Sequence, residues 1–321
     1  MSTLSDPFTW KTPLPDQHAT AAIAIVSPVR DESKYIRRTL DAMAAQTVWP
    51  EEWLIVDDGS RDDTPEIVEH YQARYPFIRL VRRTDRGQRV LGSGVIEAFN
   101  FGRDQLQSDY RYICKLDGDM SFDPTYIETM LAALEADDRL AAVSGKVYRP
   151  EGDSLVEEYI IDEMVAGQFK FYKREAFEAI GGFSQTILWD GIDIHKCRLN
   201  GWTTRSIRDP GARLFHHRLM GSSDKNVYKG RIRLGRGIWF MGYHPAYATA
   251  SGLFRMAEKP YVIGGLLIVG AYFYAALRSE PRFEEPGFRE GLQAWQRQRL
   301  RAVGGRLLRR LTGRGKQRIA G

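Results

Sequence analysis

The sequence has little cysteine and lacks the common glycine-rich phosphate loops. Only two cysteines, Cys114 and Cys197, occur in 321 residues, which is too few for a disulfide framework, and no C-x-x-C pair is present to bind zinc. We interpret them as two reduced thiols of a cytosolic protein. The absence of G-x-x-x-x-G-K-[ST] argues against a P-loop enzyme, and no clean G-x-G-x-x-G follows a predicted strand.

Acidic residues are absent from residues 291–321, which contain nine lysines and arginines. The whole chain has a formal charge of +5, so residues 1–290 sum to 5 − 9 = −4 and the basic character belongs to the tail. An apolar segment is absent from the polar, proline-containing residues 1–19, where we predict an irregular arm and no signal peptide.

Short apolar runs alternate with amphipathic stretches through the first half of the chain. The strand-like runs are residues 21–27, 53–60, 77–82, 110–116 and 140–148. The helix-like stretches are residues 32–46, 64–75, 92–106 and 123–137. Alternation at this spacing predicts an open, mostly parallel α/β sheet, and a composition that is 43% hydrophobic is ample for its core.

The second half is less regular. Residues 167–183 predict a strand, a short helix and a Gly-Gly stop, and residues 189–202 predict a loop leading into a helix that ends at Gly201. Residues 203–209 and 212–217 read as short strands.

Polar clusters follow three of the predicted strands. They are Ser27–Glu32, Asp57–Ser60 and Asp117–Asp119. Ligands bind beyond the carboxyl ends of the strands in open α/β sheets, so we expect these clusters to meet at one edge. A turn would explain a single Asp-Gly-Asp, but it explains the convergence poorly.

The pair Asp117 and Asp119 suits a divalent cation bound next to a phosphate. Mg²⁺ or Mn²⁺ prefers oxygen ligands and is usually held by one or two carboxylates together with substrate phosphates. We expect Asp119 to be the better ligand and Asp117 to contact a sugar, a ribose or a metal-bound water. Gly118 would provide clearance where a diphosphate approaches.

The stretch SPVRDESKYIRRTLDAMAAQTVWPEEWLIVDDGSRDDT resembles the start of a family 2 glycosyltransferase, the inverting GT-A type. The resemblance covers roughly residues 20–220, with Asp31 where that family usually has Asn. It implies the GT-A fold, a Rossmann-like, mixed and mostly parallel sheet flanked by helices, in a catalytic domain of residues 20–222. The residues that it implies in the nucleotide site are Pro28, Arg30, Glu32, Asp57 or Asp58, and Asp117. It also implies that Asp117 and Asp119 form the metal and diphosphate site.

A later acidic motif of that family, Glu-Asp-x-Asp, resembles Asp190-Gly191-Ile192-Asp193 here. An inverting transfer needs one carboxylate to take a proton from the acceptor hydroxyl. We expect Asp190 to be that base, with Asp193 as the second candidate. If a helix begins there, the two lie on one face at i, i+3. The structural alternative makes Asp190 a helix cap and Asp193 a partner for Lys196 or Arg208.

Two further elements of the resemblance concern basic residues. The family often supplies a histidine after the last core strand as a metal ligand. In a strand the neighbours His216 and His217 point to opposite faces, so we expect at most one of them to be a ligand. Of the two we favour His216. Arg86 is a candidate for base or phosphate contacts, and a solvated basic loop is the alternative.

The C-terminal part is predicted as a helical extension, residues 223–290, and an arginine-rich tail, residues 291–321. Residues 261–277 form a run of 17 residues without charge, near the lower limit for a spanning helix. It is either a membrane-inserted or interfacial helix or a core helix. The flanking arginines favour association with an anionic membrane surface. Residues 225–256 mix basic and aromatic residues, but no RNA-binding motif is present, and we expect no nucleic-acid partner.

These observations predict a metal-dependent inverting glycosyltransferase that uses a nucleoside-diphosphate sugar and Mg²⁺ or Mn²⁺. Its acceptor would be a hydroxyl of a lipid-linked glycan, in bacterial polysaccharide or cell-surface glycan synthesis. We expect a peripheral or monotopic protein at the cytoplasmic face of the inner (plasma) membrane, with a soluble cytoplasmic protein as the alternative. Rival functions are a polyprenyl-phosphate sugar synthase, a nucleotidyltransferase and a membrane-associated glycan-binding scaffold.

Overall fold

The fold was analysed in a computed structural model, which describes residues 18–85, 87, 92–151, 154–158, 160–217 and 227–316. Side chains are described for these residues except 151 and 306–316. The chain divides into two compact units, residues 1–220 and residues 221–321. This division falls close to the predicted boundary between residues 222 and 223.

The first unit alternates strands and helices in its described part. The strands are β1 (Ala19–Val29), β2 (Val48–Asp57), β3 (Ile78–Arg82), β4 (Tyr112–Leu116), β5 (Met120–Phe122), β6 (Leu140–Gly145), β7 (Val147–Glu151), β8 (Ser154–Glu157), β9 (Phe169–Lys173), β10 (Thr203–Ile207) and β11 (Leu214–His216). The helices are α1 (Ile36–Ala44), α2 (Thr64–Gln72), α3 (Ser93–Arg103), α4 (Tyr126–Glu135), α5 (Arg174–Ala179) and α6 (Trp189–Leu199).

Seven strands form the main sheet, in the order β10-β6-β9-β4-β1-β2-β3. β9 is antiparallel to both of its neighbours, and the other paired strands are parallel. β1 lies inside the sheet and is buried on both faces: Ile23 and Ile25 belong to one core cluster, with α1 and α4, and Val26 belongs to another, with α3 and α6. The mixed, mostly parallel sheet flanked by helices is therefore confirmed.

A second sheet has the order β5-β11-β7-β8, with β11 parallel to β7 and antiparallel to β5. The prediction of one strand over residues 140–148 is wrong, because the chain passes from the main sheet to this small sheet between β6 and β7. The change occurs at Gly145 and Lys146. The Lys146 ammonium group is buried and donates hydrogen bonds to the carbonyl of Ile160 and the hydroxyl of Ser206.

The second unit is helical in its described part. Its helices are α7 (Val227–Phe240), α8 (Pro245–Phe254), a short 3₁₀ helix (Arg255–Ala257), α9 (Ile263–Leu277) and α10 (Phe288–Lys316). α10 runs without a break across the predicted boundary between residues 290 and 291, so that boundary is not structural. The predicted apolar run is α9, and the described helices include none that is both long and apolar enough to cross a membrane.

Small residues allow α9 to pack tightly against α7 and α8. A Cβ atom on Gly235 of α7 would lie 2.3 Å from the carbonyl oxygen of Ile268, and one on Gly265 would lie 2.4 Å from that of Gly252. One face of α9 is thus a core face, in which Ile268 and Tyr272 are buried. The opposite face is exposed and apolar, and it is considered below.

We expect Gly145→Ala to destabilise the first unit. A Cβ atom there would lie 1.7 Å from the carbonyl oxygen of Ala212, so backbone must move, at a cost of about 2–4 kcal/mol. Gly270→Ala in α9 is the matched control, because nothing lies within 4 Å of its added Cβ and alanine favours helix by about 1 kcal/mol. Urea unfolding of both variants measures the difference, and equal stabilities would contradict the packing at Gly145.

Candidate active site

The end of β1 carries a buried arginine. Arg30 donates hydrogen bonds from Nη1 to the carbonyl of Asp58 and from Nη2 to Oδ1 of Asp85, both at 2.7 Å. Glu32 is also buried, and its backbone N–H donates to the hydroxyl of Thr64 at 2.8 Å. Pro28 lies in β1 opposite Val56 of β2. The ends of β1 and β2 therefore meet, as the sequence predicted.

The end of β2 is fixed by its own carboxylates. Asp57 accepts a hydrogen bond from the backbone N–H of Ser60 at 3.0 Å, and Asp58 accepts one from Arg83 at 2.8 Å. The guanidinium group of Arg61 and the backbone N–H of Gly87 help to hold the pKa of Asp85 well below its usual range. Sequence reasoning missed Asp85. Its position shortly after the arginines at the end of β3 was a signal that it could lie at the same edge of the sheet. Arg86 lies outside the described residues.

The end of β4 carries the Asp-Gly-Asp. Lys115 is buried in β4 and donates hydrogen bonds to the carboxylate of Asp117 and, at 2.9 Å, to the carbonyl of Gly167. Asp119 is buried immediately before β5, and its carbonyl accepts from the backbone N–H of His217 at 3.1 Å. Desolvation and the nearby Asp119 raise the pKa of Asp117, while Lys115 opposes that rise. A bound cation would relieve the repulsion between the two carboxylates.

Gly118 does not serve the purpose expected of it. A Cβ atom at this position would lie 3.0 Å from Val29 and 3.2 Å from Ile36, and so would point into the protein. The glycine allows the turn after β4 to pack closely against the end of β1 and the start of α1. The prediction that it provides clearance for a diphosphate is therefore wrong.

His216 lies at the end of β11, beside Asp119. Its Nε2 is 3.6 Å from Oδ2 of Asp119, and its Nδ1 is 3.8 Å from Oε1 of Glu158. Burial acts to lower the pKa of His216, but the carboxylates of Asp119 and Glu158 outweigh it and raise the pKa to about 9. His217 points elsewhere, with its ring nitrogens within hydrogen-bond distance of Ser121 and Arg38. The structure thus brings the side chain of His216, and not that of His217, to the carboxylate of Asp119.

The two carboxylates of α6 have different surroundings. Asp190 is exposed in the first turn, and the helix begins at Trp189 without the predicted loop. A Cβ atom on Gly167 would lie 3.3 Å from Oδ2 of Asp190, so this carboxylate lies next to the residue that accepts from Lys115. Asp190 and Asp117 therefore lie at the same end of the sheet.

Asp193 is not available as a base. It is 0% exposed, and its carboxylate accepts hydrogen bonds from Nζ of Lys170 at 2.6 Å and from the hydroxyl of Tyr172 at 2.7 Å. Burial raises the pKa of Asp193, and Lys170 and Tyr172 oppose that rise. Its partner is Lys170 of β9 and not the expected Lys196 or Arg208. The prediction of Asp193 as second candidate is corrected, because its side chain points into the core.

Trp189 contacts both the lysine that holds Asp117 and the lysine that holds Asp193. Lys115 and Lys170 are directly paired residues of β4 and β9, and Nζ of each lies 5.1 Å from the centre of the Trp189 ring. Lys170 also donates to the backbone carbonyl of Asp190 at 2.9 Å. These contacts hold the start of α6 against the sheet. A charged residue inside each of two predicted strands was the available signal for this role.

The chemistry of these side chains suits a divalent cation that also binds a substrate. Asp119 and His216 offer an oxygen and a nitrogen ligand beside each other. In the part of the chain that the structure describes, no group of three or more His, Cys, Asp or Glu side chains could hold a metal ion by itself. Two protein ligands with substrate phosphates completing the shell is the usual arrangement for Mg²⁺.

Comparisons with known proteins identify a family. The family described as glycosyl transferase family 2 matches residues 24–187. Chondroitin synthase of Escherichia coli is 27% identical over 176 residues, which cover 51% of this chain and 24% of that protein. Glycosyltransferase AglE of Haloferax volcanii is 24% identical over 245 residues, which cover 68% of this chain and 74% of AglE.

Two solved structures show the same fold. The mannosyltransferase PcManGT from Pyrobaculum calidifontis, in complex with GDP-Man and Mn²⁺, has a TM-score of 0.51 at 17% identity and covers 92% of this chain and 84% of its own. TarS 1–349 of S. aureus, in complex with UDP-GlcNAc, has a TM-score of 0.50 at 15% identity, with coverages of 83% and 74%. The matched segments span only 18% to 24% of the chondroitin and hyaluronan synthases that this chain resembles.

We expect Asp193→Asn to destabilise the first unit by about 3–5 kcal/mol, because it leaves the buried ammonium group of Lys170 without its counter-charge. The double variant Lys170→Met/Asp193→Leu removes both charges and should recover much of the loss. Urea unfolding measures both. A loss below about 1 kcal/mol in Asp193→Asn would contradict a structural role for this pair.

Proposed function

The chain belongs to glycosyl transferase family 2 and is a glycosyltransferase, and from that premise we propose that it is a metal-dependent, inverting enzyme. Its donor is a nucleoside-diphosphate sugar, and its acceptor is a hydroxyl of a lipid-linked glycan in polysaccharide or cell-surface glycan synthesis. The observation that carries the proposal is the placement of an exposed carboxylate, Asp190, beside Gly167, whose carbonyl is bound by the lysine that also holds Asp117.

One exposed base suits a single displacement. The acceptor oxygen attacks the anomeric carbon of the donor sugar, and its proton passes to the carboxylate of Asp190. The bond between that carbon and the diphosphate oxygen breaks, and the diphosphate leaves with the electron pair. Attack from the face opposite the leaving group inverts the anomeric configuration. With Asp193 buried, Asp190 is the base that we propose.

Asp119 and His216 would hold Mg²⁺ or Mn²⁺. The metal, when bound, offsets the negative charge of the leaving diphosphate. Solved structures with this fold include complexes with Mn²⁺, in PcManGT and in GalNAc-T7, which supports a divalent ion here. Asp117, whose carboxylate accepts a hydrogen bond from Lys115, would contact the donor sugar or ribose, or a metal-bound water.

The nucleotide would lie over the ends of β1 and β2. The residues proposed to line that pocket are Pro28, Arg30, Glu32, Asp57 and Asp58, with Arg86 as a further candidate. The Arg30 guanidinium group is held by two acceptors, the Asp58 carbonyl and Asp85, so its position is fixed before a ligand arrives. A pocket that needs little rearrangement loses less entropy on binding.

Membrane association rests on a set of exposed apolar side chains in the second unit, which we call the apolar face. It consists of Leu253, Phe254, Tyr261, Val262, Ile263, Leu266, Phe273, Tyr274 and Leu277. Large exposed apolar patches mark interaction sites, and Leu277, at 85% exposure, directly precedes the exposed Arg278. The apolar face, together with the basic and acid-free residues 291–321, favours binding to an anionic bilayer. The protein would be a peripheral or monotopic protein at the cytoplasmic face of the membrane.

We expect Asp119→Ala and Asp190→Asn each to lower turnover by at least about 100-fold, since each removes a group used in the transition state. The two variants should differ in how they bind a nucleoside diphosphate. Asp119→Ala should lose the Mn²⁺-dependent thermal stabilisation by nucleoside diphosphate, and Asp190→Asn should keep it, because the proposed base contacts the acceptor hydroxyl and not the diphosphate. Diphosphate release from a panel of UDP- and GDP-sugars, with and without glycan or polyprenyl-phosphate acceptors, measures turnover.

The outcomes separate the rival functions. Near-normal turnover in Asp190→Asn would contradict its role as base, and transfer only to polyprenyl phosphate would identify a polyprenyl-phosphate sugar synthase. A scaffold would release diphosphate from no donor and would show no metal-dependent nucleotide binding.

We expect Phe254→Ser/Leu266→Ser to weaken binding to phosphatidylglycerol-containing vesicles at least tenfold, because burial of one such side chain contributes about 1.5–3 kcal/mol. Leu199→Ser is the control, as its side chain is exposed and apolar but lies in α6 of the first unit. Vesicle co-sedimentation measures binding. Equal binding by the wild type, the double variant and the control would contradict the proposal that the apolar face binds membranes.

A further inference from the structure

Glu158, which follows β8, is a buried carboxylate whose purpose the proposed chemistry does not explain. Its backbone N–H donates to the carbonyl of Val147 at 2.8 Å, so its place beside β7 is fixed. The residue is only 7% exposed, and neither carboxylate oxygen has a hydrogen-bond partner among the residues that the structure describes. A charge removed from water is costly unless it is paired, so a carboxylate placed here is expected to have a partner in the working protein.

The imidazole of His216 lies beside Glu158. Oε1 of Glu158 is 3.8 Å from Nδ1 of His216, and within the described part of the chain this nitrogen is itself buried without a hydrogen-bond partner. The other ring nitrogen, Nε2, points toward Asp119, whose Oδ2 is 3.6 Å away. Glu158 and Asp119 therefore lie at opposite edges of one ring.

The two edges of an imidazole are chemically linked. When one nitrogen binds a metal, the other carries a proton, and the acceptor of that proton fixes the tautomer and the orientation of the ring. A rotation of the His216 ring that shortens 3.8 Å to about 2.8 Å would form such a hydrogen bond with Glu158. The same bond would give a partner to Nδ1 of His216 and to one carboxylate oxygen of Glu158.

We propose that Glu158 is a positioning residue that accepts the Nδ1 proton of His216 and so directs Nε2 to the cation shared with Asp119. This inference rests on the proposed function, since it requires a divalent cation at Asp119 and His216. Glu158 acts through His216 and is not itself a ligand.

The test is the affinity for Mn²⁺, titrated in the presence of a saturating nucleoside diphosphate and followed by the electron paramagnetic resonance signal of the free ion. Glu158→Leu should weaken Mn²⁺ binding about 10- to 100-fold, the usual effect of losing such a partner. Glu158→Gln should retain part of the affinity, because its amide oxygen still accepts the Nδ1 proton. Glu157→Leu, at the adjacent position and paired with Arg208, is the matched control and should bind Mn²⁺ like the wild type.

A double-mutant cycle with His216→Ala decides how Glu158 acts. If Glu158 works through His216, then Glu158→Leu has no further effect on Mn²⁺ affinity in the His216→Ala background. Losses that add in the double variant, or unchanged affinity in Glu158→Leu, would overturn the inference while leaving the proposed function intact. No Mn²⁺ binding by the wild type would overturn both. Thermal unfolding of each variant without Mn²⁺ checks that the variants are folded.

Discussion

Two lysines on paired strands determine how the site is assembled. Lys115 and Lys170 are direct neighbours across β4 and β9, and like charges placed opposite each other repel. The repulsion is offset because each ammonium group has its own carboxylate, Asp117 for Lys115 and Asp193 for Lys170, and both lie near the ring of Trp189. Asp117 and the helix that carries Asp190 are thereby fixed to the same pair of strands.

The periodic parts of this protein could be predicted from the sequence, and the orientation of individual side chains could not. Alternating apolar runs indicated the strands and helices of the main sheet, and three polar clusters indicated the edge that carries the site. The pair Asp190 and Asp193 shows the limit: both lie on α6 three residues apart, yet one is exposed and the other is 0% exposed. Their difference comes from Lys170, whose closeness only the tertiary fold creates. Glu158 was missed for the same reason, since its neighbour His216 lies on a strand far along the chain.

For the uncharged run of the second unit, the structure shows that one face of α9 belongs to a core, and membrane association of the other face stays a proposal. Glycines let α9 approach α7 and α8 closely, so that half of its surface belongs to a core, while the other half contributes to the apolar face. A helix of this kind needs neither a full membrane span nor complete burial. Both faces of α9 are apolar, and for that reason a pattern of polar and apolar residues did not reveal the division between them.

The small sheet has a consequence for the order in which parts of this chain fold during synthesis. Its strand β11 pairs with both β5 and β7, and of the strands described in the first unit it is the last to emerge. Asp119 and His216 are separated by about a hundred residues, and contacts at such separations form late because a long loop must close first. A nascent chain can complete the main sheet's central strands early, but it acquires the pairing of Asp119 with His216 only after residue 216 has left the ribosome.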